Sequence, residues 1–448
     1  MRSFIKYYIG ALYTTQRFYI AAGICVLLFL LRFFFVWLGI IPFIVFVAFC
    51  LLLVLDYILL YSKRKGIGAV RTHAERLSNG DENTIRIDIE NNYTFKIFLE
   101  VVDEVPHQFQ RRDVLFVLDV GAGAEKNIQY KLRPVKRGSY GFGFINVYVK
   151  NSFGFFSRKY AEGTPAEVPV YPSYLQLRKF QLMAISNRLS EVGVKKVRRL
   201  GHSMEFEQIK EYVPGDDYRS INWRATARRG QPMINNYTDE KSQQVYCIID
   251  KGRIMKMPFD GLSLLDYSIN TSLVLSNVAL LKQDKAGLIT FSEGIGASVP
   301  ADKSALQMQH ILEALYNQKT RYLESDFERL YIHIRRRITQ RSLILLFTNF
   351  ESLTGMRRQL PYLKKIAENH LLITIFFENT ELTDYIKKPS DNLEQVYAKT
   401  VAENFAFEKR QIVKELNHQG IMTILTPPKN LTVNALNKYL EIKARQLI

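Results

Sequence analysis

Apolar and polar positions change their pattern along this chain, and each pattern predicts a different kind of structure. The first pattern is a run from residue 18 to residue 61 that is apolar almost throughout, interrupted by Arg32 and Asp56. Roughly 44 residues in helical form extend about 66 Å, which is close to twice the thickness of a hydrocarbon core. The run therefore predicts two membrane-spanning helices, near residues 17–36 and 40–61.

The residues that flank the apolar run predict its orientation. The turn between the two spans contains no Lys or Arg, whereas basic residues stand before and after the spans: Arg2, Lys6, Arg17, Lys63, Arg64 and Lys65. Because positive residues favour the cytoplasmic side, the N-terminal segment, residues 1–66, is predicted to leave both chain termini in the cytoplasm. Asp56 is expected to reach the inner interface or to pair locally, the alternative being a functional carboxylate within the membrane.

Between residues 67 and 172 the pattern changes to alternation with a period of two, which is typical of strands with one buried face. The run Thr84–Glu90 alternates cleanly, and further short strands recur between glycines. Because helix signals are few, this segment predicts a small β-sandwich domain. Two glycine-rich stretches, Lys136–Gly141 and Asn151–Phe155, are expected to supply turns and core, the alternative being a basic loop that binds nucleic acid.

In residues 244–448, strands that are apolar on both faces alternate with helices. The predicted strands are Gln244–Asp250, Ala286–Phe291, Ser342–Thr348, Leu371–Phe377 and Ile421–Leu425. The predicted helices are Leu262–Leu281, Ser304–Asn317, Asp326–Thr339, Gly355–Asn369, Leu393–His418 and Val433–Ala444. Such strands form a buried, mostly parallel sheet with helices on both sides. The pattern therefore predicts an α/β domain with a doubly wound sheet.

Residues 173–243 form a connector that leads into the first of these strands and is dense in charge, aromatics and turn residues. A charged stretch, Glu205–Tyr212, precedes the turn Pro214–Asp217, whose Pro-Gly pair interrupts any continuous helix. Asp216 or Asp217 is expected to cap the helix that follows.

In that helix Tyr218, Ile221 and Ala225 fall at helical spacing and predict an apolar stripe. Trp223 lies off the stripe, so it is either a second core contact or an exposed anchor for a partner. Arg224 and the turn residue Asp216 are expected to be exposed.

These residues resemble the signature of a bacterial family catalogued as domain of unknown function 58. The resemblance is carried by the run Glu211–Asp217, by Arg219, Ile221 and Trp223, and by Ala227 and Arg228. It implies a layout of a membrane hairpin, a β domain, the signature and a von Willebrand A-like domain. It also implies a location in the bacterial inner membrane and a partner AAA+ ATPase of the MoxR type.

The resemblance to von Willebrand A domains raises the question of a metal site. In those domains the first strand ends in Asp-x-Ser-x-Ser, whose oxygens bind Mg²⁺. Here Asp250 is present, but Gly252 and Ile254 occupy the two serine positions, and Asn349 stands where an aspartate is usual. The site is therefore predicted to be degenerate and to hold no physiological metal, although binding of Mg²⁺ stays the alternative.

Sequence motifs for catalysis are absent. No histidine stands in a Ser-His-Asp or Cys-His context, and the chain has no GxxxxGK[ST] phosphate loop. The net charge of +18 fits a protein that faces anionic lipid. The basic run Asn187–Leu200 lacks any accompanying nucleic-acid motif, and Cys247, inside an apolar run, is expected to be a core thiol.

The turn and the helix after it are predicted to form the main interaction surface. Its candidate residues are Glu211, Pro214, Gly215, Asp216, Asp217, Arg219, Trp223, Arg224 and Arg228. A rigid backbone loses little entropy on docking, and arginine suits carboxylates on a partner. In the alternative, this segment only supports the α/β domain, and Arg219 and Arg228 pair internally with Glu211 or Asp217.

The predicted function is that of a non-enzymatic, membrane-anchored adaptor or chaperone component that contacts membrane lipid and the ATPase. No cofactor and no nucleic-acid partner are expected. One alternative is an enzyme of envelope metabolism that uses the Glu/Asp-rich signature. Another is an anionic-lipid or nucleic-acid binding protein driven by the basic charge.

Overall fold

The computed structural model describes residues 10–111, 114–185, 205–214, 216, 218–238, 242–320, 323–390, 392–445 and 447. The chain divides into two compact units, Met1–Tyr171 and Pro172–Ile448. The first unit contains two apolar helices and an all-β part, and the second contains a six-stranded sheet with helices.

The first unit has two apolar helices, α1 (Gln16–Phe34) and α2 (Ile41–Tyr61), joined by a short 3-10 turn. Both are long and apolar enough to cross a membrane, and only 6% and 11% of their apolar windows are buried within the protein. A third helix of the described residues, Leu264–Leu281, meets the same criteria, but 83% of it is buried. The exposed apolar surfaces of α1 and α2 therefore support the predicted membrane association.

The strands of the first unit, apart from β1, share one hydrophobic core. They are β1 Leu12–Thr14, β2 Ile67–Thr72, β3 Leu77–Ser78, β4 Asn83–Asn91, β5 Ile97–Asp103, β6 Leu115–Val120, β7 Glu125–Leu132, β8 Gly138–Phe142, β9 Ile145–Lys150, β10 Phe156–Glu162 and β11 Ala166–Tyr171. They form sheets in the orders β1-β10-β9-β5-β6, β2-β4-β7 and β3-β11-β8. Ile85, Ile87 and Ile89 of β4 are buried in the core that β5 and β9 also enter, as the period of two indicates.

Strand β1, which the sequence did not predict, ties the start of α1 to the β part. It pairs antiparallel with β10, and Leu12 lies opposite Arg158. Thr15, the next residue, donates its backbone N–H to the carbonyl of Phe155 at 3.0 Å. Three residues are too few to show a strand period, so this strand depends on the edge it pairs with.

The glycine-rich stretch Asn151–Phe155 contacts both apolar helices. Asp56 of α2 is fully buried, and its carboxylate accepts the backbone N–H groups of Phe155 and of the following residue, both at 2.9 Å. Arg17 at the start of α1 donates to the carbonyl of Phe153 at 3.3 Å. The stretch forms a turn, and Asp56 pairs locally with its backbone.

A buried arginine closes the carboxyl end of α2. Arg158 of β10 is 2% exposed and donates to the carbonyls of Leu60 at 2.7 Å, Lys63 at 2.9 Å and Arg64 at 3.3 Å. Tyr93 donates to the carbonyl of Leu60 at 2.6 Å. The last carbonyls of a helix lack partners within it, and a positive charge suits that end of the helix dipole. Both ends of the helix pair are thus joined to the same β part.

The second unit is built on a mostly parallel sheet. Its strands are β12 Glu205–Glu211, β13 Met233–Thr238, β14 Gln244–Asp250, β15 Pro258–Phe259, β16 Leu262–Ser263, β17 Lys285–Phe291, β18 Ile295–Asp302, β19 Leu343–Phe347, β20 Leu371–Phe377 and β21 Met422–Thr426. The sheet has the order β18-β17-β14-β19-β20-β21. All of its neighbours pair in parallel except β17 and β18. In chain order, β17 and β18 therefore lie on one side of β14, and the later strands β19, β20 and β21 lie on the other side.

Helices lie on both faces of this sheet. The described helices of the second unit are α3 Tyr174–Ile185, α4 Trp223–Arg229, α5 Leu264–Leu281, α6 Gln307–Tyr316, α7 Phe327–Arg337, α8 Leu353–Asn369, α9 Thr380–Lys387, α10 Leu393–His418 and α11 Leu431–Ala444; α4 belongs to the segment between β12 and β13 and not to a face of the sheet. Side chains on alternate positions of β14 enter two separate cores. The prediction of a C-terminal sheet with parallel strands is confirmed.

Some elements of the second unit were not predicted. Strand β18 is an edge strand that contains Gly296 and Pro300, both of which weaken a strand signal. Helix α9 has only 8 residues. The first part of the connector forms α3, whose Phe180 is buried in the core beside α5. The basic run at residues 187–200 lies outside the described residues.

Candidate functional site

The order of the sheet reverses between β14 and β19, and the crevice at their carboxyl ends is where open α/β sheets bind ligands. Asp250 ends β14, and Thr348 and Asn349 directly follow β19. The metal position considered from the sequence therefore lies at this crevice.

Asp250 is fully buried and is held by three protein donors. The hydroxyl of Ser325 and the backbone N–H of Gly252, at 2.8 Å, donate to its Oδ1. The hydroxyl of Thr348 donates to its Oδ2 at 2.7 Å. Burial raises the pKa of this carboxyl, and the three hydrogen bonds oppose that rise. Asp250 thus joins three loops. The sequence analysis did not predict the hydrogen bond from Ser325, which lies 75 residues away along the chain.

The other positions of the degenerate motif do not fit a Mg²⁺ ion. A Cβ added at Gly252 would lie 2.2 Å from Oγ of Ser325, so this position has no room for a serine side chain. Ile254 packs against the hydrophobic core. Oδ1 of Asn349 accepts a hydrogen bond from the ammonium of Lys409. Among the described residues there is no cluster of three acidic, His or Cys side chains for a metal.

We expect Mg²⁺ to leave the stability of the protein unchanged. The full chain in detergent should shift its melting temperature by less than about 1 °C in millimolar MgCl₂, because the carboxylate of Asp250 already accepts three protein hydrogen bonds and the described residues hold no cluster of three acidic, His or Cys side chains. NaCl at equal ionic strength is the control. A clear rise in melting temperature that Asp250→Ala abolishes would contradict this prediction.

The signature segment folds as a β-hairpin that holds a short helix between its strands. Strands β12 and β13 pair antiparallel, with Glu211 opposite Met233. Between them the chain passes through a 3-10 turn at Tyr218–Ser220 and through α4. The charged stretch Glu205–Tyr212 is thus mainly a strand, and β13 was not predicted.

The predicted cap and apolar stripe of the signature helix are wrong. Asn222 is the N-cap of α4, and its side chain accepts the backbone N–H of Ala225 at 3.0 Å. The helix therefore begins later than an aspartate cap at 216 or 217 would place it. Tyr218 is 68% exposed, and Ile221 forms a β-bridge with Ile234 of β13. Tyr218 and Ile221 do not follow the helical spacing, because a turn of 3-10 helix and a β-bridge precede α4.

Asp216 has a structural part in the turn. Its carboxylate accepts the backbone N–H of Val213 at 3.1 Å and forms an ion pair with Lys210 at 3.1 Å. These two contacts hold the pKa of Asp216 below its usual value. Its side chain is only 24% exposed, so it is less exposed than predicted. Gly215 and Asp217 lie outside the described residues.

Several aromatic, apolar and basic side chains of this segment are exposed. Trp223 is 73% exposed and Val213 is 57% exposed. Arg224 and Arg228 of α4 are also exposed. We call the exposed group of Val213, Tyr218, Trp223, Arg224 and Arg228 the signature face. Trp223 is therefore not a core contact.

The alternative of internal pairing, of Arg219 and Arg228 with Glu211 or Asp217, stays a prediction, because Asp217 lies outside the described residues. Glu211, Pro214 and Arg219 are exposed, and the guanidinium of Arg219 lies 5.8 Å from the ring centroid of Tyr218. The expected core thiol, Cys247, is fully enclosed, and burial raises its pKa to about 12.

Comparison with known proteins identifies a family for part of the chain. Residues 208–381 match the family described as protein of unknown function DUF58. The resemblance to domain of unknown function 58 is therefore confirmed over that segment, which includes the signature residues and five of the six strands of the sheet.

Individual relatives are distant. The uncharacterized protein YeaD of Bacillus subtilis (strain 168) is 25% identical over 126 residues, which cover 28% of this chain and 31% of YeaD. The conserved hypothetical protein BatB from Bacteroides thetaiotaomicron is 12% identical, with a TM-score of 0.30, over 45% of this chain and 98% of that chain. Proximal thread matrix protein 1 from the mussel byssus is 11% identical, with a TM-score of 0.25, over 45% and 47%.

Proposed function

Since residues 208–381 match a family without an assigned activity, we propose that the chain is a non-enzymatic, membrane-anchored adaptor or chaperone component. It works with an AAA+ ATPase of the MoxR type at the cytoplasmic face of a bacterial inner membrane. The observation that carries the proposal is the signature face. An exposed tryptophan flanked by arginines is the composition of an interface hot spot.

The chemistry of the signature face favours an acidic partner surface with an apolar recess. Arg224 and Arg228 provide planar donors that bind carboxylates in a bidentate manner. Trp223 supplies a rigid apolar anchor with few rotatable bonds, so little entropy is lost on docking. The chain itself has no phosphate loop, so nucleotide hydrolysis is assigned to the partner.

In this proposal the second unit is a von Willebrand A-like domain and the β part of the first unit is a β-sandwich. The strand order β18-β17-β14-β19-β20-β21, with its one antiparallel edge strand, supports the first assignment. The shared core of the sheets supports the second.

The proposed topology is a helical hairpin with both chain termini in the cytoplasm. Both ends of the helix pair are joined to one β part, through β1 before α1 and through Asp56 and Arg158 near the end of α2. A folded β part lies on one side of the membrane, so both ends of the pair must lie on that side too.

Reporter fusions at Ser3 and Ile448 should both report a cytoplasmic location. The basic flanks favour the cytoplasm, and a fusion in the turn near Gly39 should report the opposite side. The turn fusion is the internal control, since it differs only in position. A periplasmic result for the fusion at Ile448 would overturn the topology and the ATPase partnership with it.

The adaptor function is tested by capture of the partner. The full chain, solubilised in detergent and isolated from its native membrane, should retain an AAA+ ATPase that mass spectrometry identifies. Capture should weaken as salt is raised, because the signature face contributes exposed charges. If the ATPase is absent from the isolated complex at low salt, the proposal fails.

A further inference from the structure

A cavity of about 650 Å³ lies at the carboxyl ends of β20 and β21, within the second unit. Its lining comes from α9, α10, these two strands and the residues that follow β14 and β19. The volume falls in the range of roughly 300–1,000 Å³ that is typical of small-molecule sites. The position is also the edge at which open α/β sheets bind ligands.

The walls of the cavity are mainly apolar. The apolar part of the lining includes Phe259 of β15, Phe377 of β20, Leu382 and Ile386 of α9, and Phe405 of α10. Phe405 is 50% exposed. An apolar molecule that filled the cavity would therefore remove apolar surface from water, which is the main driving force for such binding.

Lys409 brings a positive charge into this apolar lining. Its Nζ lies 6.0 Å from the ring centroid of Phe376 and donates to Oδ1 of Asn349. An ammonium has three donors, and the partner seen here is a neutral amide. No carboxylate of the described residues lies within ion-pair distance of it. Burial lowers the pKa of Lys409 to about 8, and the charge of Glu351 opposes that shift.

The other charged groups of the lining lie nearer to water. They are the cations Lys387 and Arg410 and the acids Glu351 and Glu378. Lys387, Arg410 and Glu351 are exposed, and Glu378 is partly exposed. Lys409, like Glu378, is only partly exposed, and its ammonium is the one cation among the described lining residues that is not fully open to water.

We propose that this cavity binds a small amphiphilic carboxylate, with its apolar body against Phe377, Leu382 and Phe405 and its carboxylate on Lys409. One buried ammonium is matched by one negative charge. A doubly charged phosphate would leave a charge uncompensated in an apolar site, which is costly. The nearby acid Glu351 adds to that cost. The carboxylate of the ligand would accept hydrogen bonds from the N–H groups of Lys409 that do not donate to Asn349.

The test uses three naphthalene compounds that have similar shape and different charge: 2-naphthoate, 2-naphthalenemethanol and 2-naphthylmethylammonium. Their binding to the full chain in lipid nanodiscs is measured at pH 7 by equilibrium dialysis, with empty nanodiscs subtracted. We expect one naphthoate per chain, bound at least about tenfold more tightly than the alcohol, and the weakest binding for the cation.

Lys409→Met keeps the apolar stem and removes the charge. It should lower the affinity for naphthoate to that of the alcohol and change the affinity for the alcohol by less than about twofold. Lys414→Met, an exposed lysine on the same helix, is the matched control and should change neither. Phe405→Asp should weaken both compounds, because it places a charge in the apolar wall.

A second measurement does not depend on the folding of a variant. Naphthoate should slow the acetylation of Lys409 in the unmodified chain, followed by mass spectrometry, and leave the rate at Lys414 unchanged. Equal affinity for naphthoate and the alcohol, a preference that survives Lys409→Met, or absence of protection would each overturn the proposal. The cavity shares no residue with the signature face, so either proposal can fail while the other stands.

Discussion

Replacing Trp223 by alanine is expected to abolish capture of the partner ATPase and to leave the melting temperature of the chain unchanged. Trp223 is 73% exposed, so its removal uncovers no core. Loss of a tryptophan anchor at an interface costs about 2–4 kcal/mol, which corresponds to a loss of affinity of roughly thirtyfold to a thousandfold. Both variant and parent are measured as full chains in detergent, by pull-down and by thermal unfolding.

Controls for this prediction come from other surfaces of the second unit. Tyr397→Ala removes an aromatic side chain that is 74% exposed on α10 and should leave capture intact. Arg224→Glu should weaken capture, whereas Arg336→Glu, also at an exposed position, should not. Charge reversal at Asp216 is a poorer test, because Asp216 holds the turn through Val213 and Lys210. Normal capture by Trp223→Ala would place the docking surface elsewhere.

Replacing Arg158 by leucine is expected to destabilise the first unit strongly. The carbonyls of Lys63 and Arg64 would each lose a donor, and Arg158 is buried between the rings of Tyr61 and Tyr160, with its guanidinium carbon 4.2 Å and 4.5 Å from their centroids. Loss of these contacts costs about 3–5 kcal/mol, which lowers the melting temperature by roughly 10 °C.

The matched control is Arg86→Leu in the same unit. Arg86 is 49% exposed and pairs with Asp88 on the surface at 2.6 Å. Exposed pairs contribute at most about 1 kcal/mol, so this variant should melt close to the parent. Thermal unfolding of the full chain in detergent, followed by circular dichroism, distinguishes the two. Equal melting temperatures for both variants would show that Arg158 does not close the end of α2.

The sequence predicted the bounds of an element correctly where apolar residues mark its buried positions over a long stretch. The strands Gln244–Asp250 and Leu371–Phe377 and the helix Leu393–His418 have the bounds predicted for them. The two strands are continuous apolar runs of strand length, and the helix repeats its apolar residues over many turns. The two apolar helices α1 and α2 were also predictable, because the length and composition of the run identify them. The signature residues likewise led to the family that residues 208–381 match.

Short elements and long-range contacts were decided by the tertiary structure. Strand β1 has three residues and exists because the edge of β10 is available to pair with it. Ser325 reaches Asp250 across 75 residues, and Arg158 reaches the carbonyl of Leu60 across 98. A local sequence pattern does not indicate which distant residue a side chain will contact.

The sequence by itself thus determined the order of the long elements, the two apolar helices and the family match, because these depend on periodicity, composition and a contiguous motif. Only the tertiary structure decided that Asp250 is enclosed by hydroxyl and amide donors, that Trp223 faces water and that Lys409 enters an apolar cavity. Each of these outcomes depends on which loops and helices meet at the sheet edge or leave a surface uncovered. Burial and partners of a side chain follow from packing between distant segments, which no single stretch of sequence specifies.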